Sequence, residues 1–302
     1  MEKILSLLEN TIYCYDSNKE PSNKSCQQCQ LRLKKAIEKP FLLNQPIHFV
    51  LPAFPAKSAN RNKTISQDPD MGETLALHRL NQLIERINTE YQYGAKITIC
   101  SDGHVFNDLV YVNDDSVDSY QEKLKTLCQK HHFSHIDFYD LKEHYASISL
   151  SDRRTQLIKE FSDPIEKIHE DIKTNKDELQ LFNGLHRFLF EDSKYFHQDE
   201  SNTKVKKLSK KTTYQVIQRS HAWSNLIKKT FPDMIRLSIH PHQCSSDKMT
   251  VKLFEQPNNW ATPWHNVVLK TKQTIRLMKR AQAIQLGGKL QHDPIYGAYY
   301  AT

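Results

Sequence analysis

The sequence is short of glycine, with 7 in 302 residues, where an ordinary globular composition carries roughly 7%. Nucleotide loops need glycine wherever backbone closes on a phosphate, and neither GxGxxG nor GxxxxGK occurs. A dinucleotide fingerprint and a P-loop are thereby excluded, and the holding of any phosphate falls to side chains. No apolar run approaches the ~20 residues of a membrane helix. The first residues, MEKILSLLENTIYCYD, are acidic where a signal peptide is basic, so the expected location is the cytoplasm. The 6 cysteines, Cys14, Cys26, Cys29, Cys100, Cys128 and Cys244, are too scattered for a disulfide framework. Cys26 and Cys29 form a CxxC, which is half of a zinc site, but no second pair follows at finger spacing. Reduced thiols are the expectation there, with zinc at that pair left open.

What is present is a core-forming composition, 38% hydrophobic, with 42 basic against 35 acidic residues and a formal charge of +7. That balance favours anionic ligands but lacks the clustered stripe of a dedicated nucleic-acid binder. The densest basic run, KVKKLSKK from Lys204 to Lys211, reads as a solvated connector between two helical patterns.

In FVLPAFPAKSANRNKT, Phe49 to Thr64, a buried strand gives way to a run of amides, hydroxyls and cations with no glycine. Such a density of donors suits an anion better than solvent. Next comes DPDMGETLALHRLNQLIERINTEY, where Asp70 followed by Glu73 marks a helix start and Ala76, Leu80, Leu83, Ile84 and Ile87 share one face. AKITIC is a second short apolar run, ending in SDGHVFND. Strand, polar turn, helix, strand, polar turn is a βαβ pattern, and in an open parallel sheet both turns face one crevice. A helix near 116–131 and a strand in SHIDFYDL extend the sheet. The stretch 153–191 is helical with breaks at Pro164 and Gly184, TTYQVIQRSHAWSNLIKKTF is a further helix stopped by Pro232, and MIRLSIHPH, KMTVKLF and HNVVLKT return strands to the sheet. The expected division is an N-terminal helical segment, 1–45, and a main domain, 46–302, with a helical insertion over about 151–230.

The blocks LPAFPAKSANRNK, DMGETLAL, ITICSDGHVFNDLV, IQRSHAWS, IRLSIHPH and TPWHNVV, in this order, resemble the isocyanide synthase family, also called the pyoverdine/dityrosine biosynthesis family. The resemblance spans about Pro46 to Thr271. It implies an α/β Rossmann-like, mostly parallel sheet flanked by helices, with the helical stretch as insertion or lid. It also implies a carbon–carbon lyase type of enzyme that turns the α-amino group of an aromatic L-amino acid, tyrosine first and tryptophan next, into an isonitrile. Ribulose 5-phosphate is the implied one-carbon donor, with no cofactor and no metal. The product would pass to an Fe(II)/2-oxoglutarate-dependent oxygenase, with neither membrane nor nucleic acid as partner. His104 stands in SDGHVF where the family pattern has arginine.

The chemistry of that reaction selects candidates among the residues. A pentulose phosphate needs cations with amide and hydroxyl partners, which Lys57, Ser58, Asn60, Arg61 and Lys63 offer. Arg219 and Arg236 are candidates for the amino-acid carboxylate, and Trp223 and Trp264 for an aromatic wall. His265 and His240 are candidates for moving protons near neutrality. Asp102 and Glu73 complete the catalytic set, Glu73 with a helix cap as its other reading. His240 with His242 makes a poor metal pair, because Pro241 interrupts the strand geometry. Two alternatives stay open: a non-catalytic basic protein that holds RNA or another polyanion through Lys57 to Lys63 and Lys204 to Lys211, and a different sugar-phosphate-dependent enzyme acting on an amino acid.

Overall fold

The structure is a computed structural model that describes residues 1–9, 11–13, 27–240, 246–254 and 261–302. Its main sheet has the described strands β1 (Ile12–Tyr13), β2 (Ile47–Pro52), β3 (Ala95–Cys100), β4 (Ile136–Tyr139), β5 (Ile235–Ser238) and β6 (Met249–Val251), in spatial order β1-β6-β5-β2-β3-β4. All are parallel except β1, which runs antiparallel to β6. The apolar run IHFVLP becomes the central strand because both its faces must be covered: Ile47, Phe49, Val50 and Leu51 are fully buried. The chain builds outward from β2 through β3 to β4, then returns to the other side of β2 at β5. That reversal opens a crevice beyond the carboxyl ends of β2 and β5.

Helices cover both faces. α1 (Glu2–Glu9), α2 (Gln27–Leu42) and α3 (Met71–Glu90) pack on one face. α3 starts with a capping box, in which Asp70 accepts from the Gly72 amide and Glu73 accepts from the Asp70 amide, each at 2.9 Å. Its expected apolar face is buried. Ile4, Leu8, Leu33 and Ile37 share this core with β2 and α3, so residues before 46 contribute to the main packing. After β3 come α4 (Gly103–Phe106) and α5 (Asp114–Lys130), and after β4 comes α6 (Leu141–His144).

The expected helical insertion is α7 (Leu150–Phe161), α8 (Ile165–Thr174), α9 (Lys176–Phe196) and α10 (Asn202–Thr230). Pro164 separates α7 from α8, but Gly184 does not end α9. A helical glycine costs only about 1 kcal/mol, and Phe182 and Leu189 are buried on either side of it. Lys204–Lys211 is not a connector: it lies within the 29-residue α10, since lysine is a good helix former and Ser201 caps the start through the Lys204 amide.

HNVVLKT does not rejoin the main sheet. It forms β7 (Val267–Lys270), which joins β8 (Ile275–Met278), β9 (Lys289–Asp293) and β10 (Gly297–Ala301) in a second sheet of order β8-β7-β10-β9, with α11 (Arg280–Gln285) between β8 and β9. Val268 and Leu277 of this sheet pack on Met71 at the start of α3, which gives it an apolar anchor of its own. Among the described residues no helix is long and apolar enough to cross a membrane.

Candidate active site

The polar run after β2 and the SDG turn after β3 are locked together by backbone. Phe54 takes a left-handed conformation, φ 56°. That strained geometry persists because its carbonyl accepts from Ser101 Oγ at 3.1 Å and Gln121 Nε2 at 2.6 Å, while its ring packs on Trp264 at 5.1 Å. Gly103 allows the closest approach: a Cβ there would sit 2.1 Å from the Pro55 carbonyl oxygen and 2.6 Å from Val117 Cγ1. The Ser58 amide then donates to the Trp264 carbonyl at 2.9 Å, tying in the short turn Pro263–His265.

These loops border a cavity of about 570 Å³ at the β2/β5 crevice, a size suited to small-molecule substrates. Ser58, Asp102, His240, Trp264 and His265 line it from the sheet side. Leu181, Leu185, Phe188, Leu189 and Asp192 of α9, with Val216 and His221 of α10, line it from the helical side.

Its titratable groups are unusual. Asp102 makes no capping bond, and its Oδ1 is buried with no hydrogen-bond partner among the described residues; burial pushes the carboxyl up to about 7. His265 meets the Phe188 ring edge-on at 4.3 Å. Burial, with Lys63, His240 and Lys57 nearby, holds its pKa well below the usual histidine value, so it is neutral at neutral pH. Burial lowers His240 to about 4, with Lys248 acting in the same direction.

Behind the cavity lies a buried charge network. Lys57 Nζ stands 2.6 and 2.9 Å from the Glu73 oxygens and 2.8 Å from Asp70 Oδ2, and the Tyr120 hydroxyl donates to Glu73 at 3.2 Å. Burial opposes the Lys57 charge, but the two carboxyls outweigh it and raise its pKa. Burial also pushes Asp70 up to about 7, against the pull of Lys57. Lys63 Nζ lies 2.7 Å from Asp192 Oδ1 and 3.7 Å above the Phe188 ring, and Asn60 Nδ2 donates to the same Asp192 oxygen at 2.8 Å.

Residues 37–290 match the model of the pyoverdine/dityrosine biosynthesis protein family. The chain belongs to this family. It is 40% identical over 278 residues to an L-tryptophan isonitrile synthase, AmbI2, of Fischerella ambigua, covering 91% of this chain and 84% of the relative. It is also 40% identical over 250 residues to an L-tyrosine isonitrile synthase of Pseudomonas aeruginosa, covering 82% and 76%. The crystal structure of the PvcA protein from Pseudomonas aeruginosa superposes with a TM-score of 0.90 at 34% identity, covering 100% of this chain and 99% of that one.

In this pyoverdine/dityrosine family member, Ser58, Asp102, His240, His265 and Trp264 come together at the cavity. Lys57, Asn60, Lys63 and Glu73 form the network behind it rather than the lining, because each has found a partner within the fold. Arg61, Arg219, Arg236 and Trp223 are not brought to the cavity lining. Arg61 is exposed and donates to the Ile65 carbonyl at 3.0 Å. Arg219 grips Asp108 with two bonds of 2.5 and 3.0 Å. Arg236 is held by Asp247 at 2.5 Å and by Ser224. Trp223, on α10, is buried in the core and stacked on Tyr139 with ring centres 6.0 Å apart. His104 lies away from the cavity, 2.8 Å from Asp118 and 3.4 Å from Asp114.

Sequence reading missed Glu178, Phe188, Asp192, His221 and Lys248, all of which line the cavity. The spacing of Leu181, Leu185, Phe188 and Asp192 carried a signal, an apolar helical stripe ending in an acid; Lys248 carried none. Cys26 and His242 lie outside the described residues, among which no group of three or more metal-ligating side chains is placed to hold an ion.

Proposed function

We propose that this chain is an isocyanide synthase that converts the α-amino group of an aromatic L-amino acid to an isonitrile, with ribulose 5-phosphate supplying the carbon. Family membership and the names of the relatives support the reaction class. The observation that carries it here is Asp102, a buried carboxyl whose Oδ1 has no hydrogen-bond partner among the described residues, held near pKa 7 in one cavity with the neutral imidazoles of His265 and His240.

An amino acid enters with its nitrogen protonated, and that proton must leave before the nitrogen attacks the ketone. Loss of water to the imine and the later eliminations require further proton transfers. A carboxyl near pKa 7 takes and returns protons with little penalty in either direction, and a neutral imidazole accepts one without first losing one. The α9 stripe, with Phe188 as its aromatic member, gives an aromatic ring apolar surface, and Trp264 faces it from the Pro263–His265 turn. Relatives of comparable identity are named for tryptophan and for tyrosine, so both rings belong in the test. The polyanion-binding alternative loses the first of its two basic regions, since Lys57 and Lys63 are buried in ion pairs, and keeps only the exposed lysines of Lys204–Lys211 on α10.

Purified protein incubated with ribulose 5-phosphate and a mixture of amino acids should yield tyrosine or tryptophan that has gained one carbon and lost two hydrogens, seen by mass spectrometry. No such product from any amino acid sinks the proposal.

A further inference from the structure

Among the described residues that line the cavity there are four carboxyls, Asp102, Asp177, Glu178 and Asp192, but a single lysine, Lys248, and no arginine. The cations expected to hold an anion are engaged elsewhere: Lys57 by Glu73 and Asp70, and Lys63 by Asp192. Arg61 is on the surface. No ion pair or side-chain hydrogen bond holds the Lys248 ammonium among the described residues. Its backbone, by contrast, is fixed: the Arg32 guanidinium donates to the carbonyls of Ser246 and Lys248, the latter at 3.1 Å, and the Lys248 amide donates to Ser246 Oγ at 3.2 Å. Ser238, Ser246 and His240 border the same cavity and add neutral donors.

We propose that Lys248, with Ser238, Ser246 and His240 around it, is the site that holds the phosphate of the ketose phosphate. This rests on the functional reading above and names where its co-substrate binds. A zwitterionic amino acid carries its own compensating ammonium, whereas a phosphate dianion entering a cavity with four carboxyls needs a fixed cation. Lys248 is the one that the described lining residues provide. Several separate donors also suit the three free oxygens of a phosphate better than the two of a carboxylate.

The test is titration calorimetry of wild type, Lys248→Met and Lys248→Arg with inorganic phosphate, ribulose 5-phosphate and tyrosine or tryptophan. Expected are a loss of phosphate and ketose-phosphate affinity of roughly 10- to 100-fold in Lys248→Met, amino-acid affinity within about threefold of wild type on the same scale, and recovery in Lys248→Arg. Loss confined to the amino acid would make Lys248 a carboxylate site, and unchanged binding of all three would remove it from the site; either overturns the proposal. If wild type binds inorganic phosphate through Lys248 but not ribulose 5-phosphate, the phosphate site stands and the assigned donor falls. Should Lys248→Met unfold, wild type decides alone. Burial and Arg236 lower the Lys248 pKa to about 8, against Asp247 and Glu178, with neutral His240 beside it. Affinity for ribulose 5-phosphate should therefore fall from about pH 7.5 to about 9.5, where a phosphomonoester with its second pKa of about 6 is already the dianion; a flat profile overturns the assignment.

Discussion

The Lys57 ammonium lies 2.6 and 2.9 Å from the two carboxylate oxygens of Glu73, and neither residue has any exposed surface. Removing one partner of a buried pair costs about 3–5 kcal/mol, and because Asp70 stays 2.8 Å from Lys57, the lower end, about 3 kcal/mol, applies. Glu73→Ala should lose that much in urea unfolding, plus about 1 kcal/mol for the broken cap, and Glu73→Gln less. A loss below about 1 kcal/mol, the range of an exposed pair, would show that water reaches Lys57.

Asp102 keeps its proton up to about pH 7 in the folded chain but only to roughly 4 when unfolded. Between those values the folded state holds more protons, so its contribution is full below about pH 4 and is lost as pH rises through about 7. Asp102→Asn removes this loss. Its melting temperature should rise relative to wild type more at pH 8 than at pH 5, while turnover falls by about 10² to 10⁴. A difference independent of pH would return the carboxyl to its ordinary range.

The pH profile of kcat/KM separates Asp102 from His265. We expect one limb near pH 7 that persists in His265→Asn, even as its turnover drops, and disappears in Asp102→Asn. A limb that vanishes with His265 instead would mean that this imidazole titrates near its ordinary value in spite of its burial.

Arg61→Ala should leave the KM for ribulose 5-phosphate within about twofold of wild type, since substitutions at exposed positions that touch no special feature have small effects. Steady-state kinetics with the amino acid saturating will show it. A rise of about tenfold, worth 1.4 kcal/mol, would bring the side chain into the site.

The βαβ unit of β2, α3 and β3 and the meeting of the two polar turns were legible because they follow from local signals: β2 and β3 as short apolar runs, the Asp70–Glu73 cap, and the rule that places loops at a switch point. What the polar run holds was not legible. Its lysines serve carboxylates of the fold itself, and a partner such as Asp192, far along the chain from Lys63, leaves no mark at short range. HNVVLKT reads as a strand from its β-branched residues, but propensity does not name a sheet, and Val268 found its neighbours in β8. An unperturbed pKa near 6.5 suggested His265 as a proton shuttle; the buried surroundings that take it out of that range exist only once α9 closes over the site.

Leu181, Leu185, Phe188 and Leu189 all face the cavity from one helix, which also carries Asp177, Glu178 and Asp192, whereas Asp102, His240, His265 and Lys248 come from the ends of strands and the loops beside them. The apolar stripe and these four groups are thus written on different parts of the polypeptide. A library confined to those four helical positions would recut the space offered to the side chain while leaving these four groups in place, which makes α9 the natural starting point for changing which amino acid is accepted.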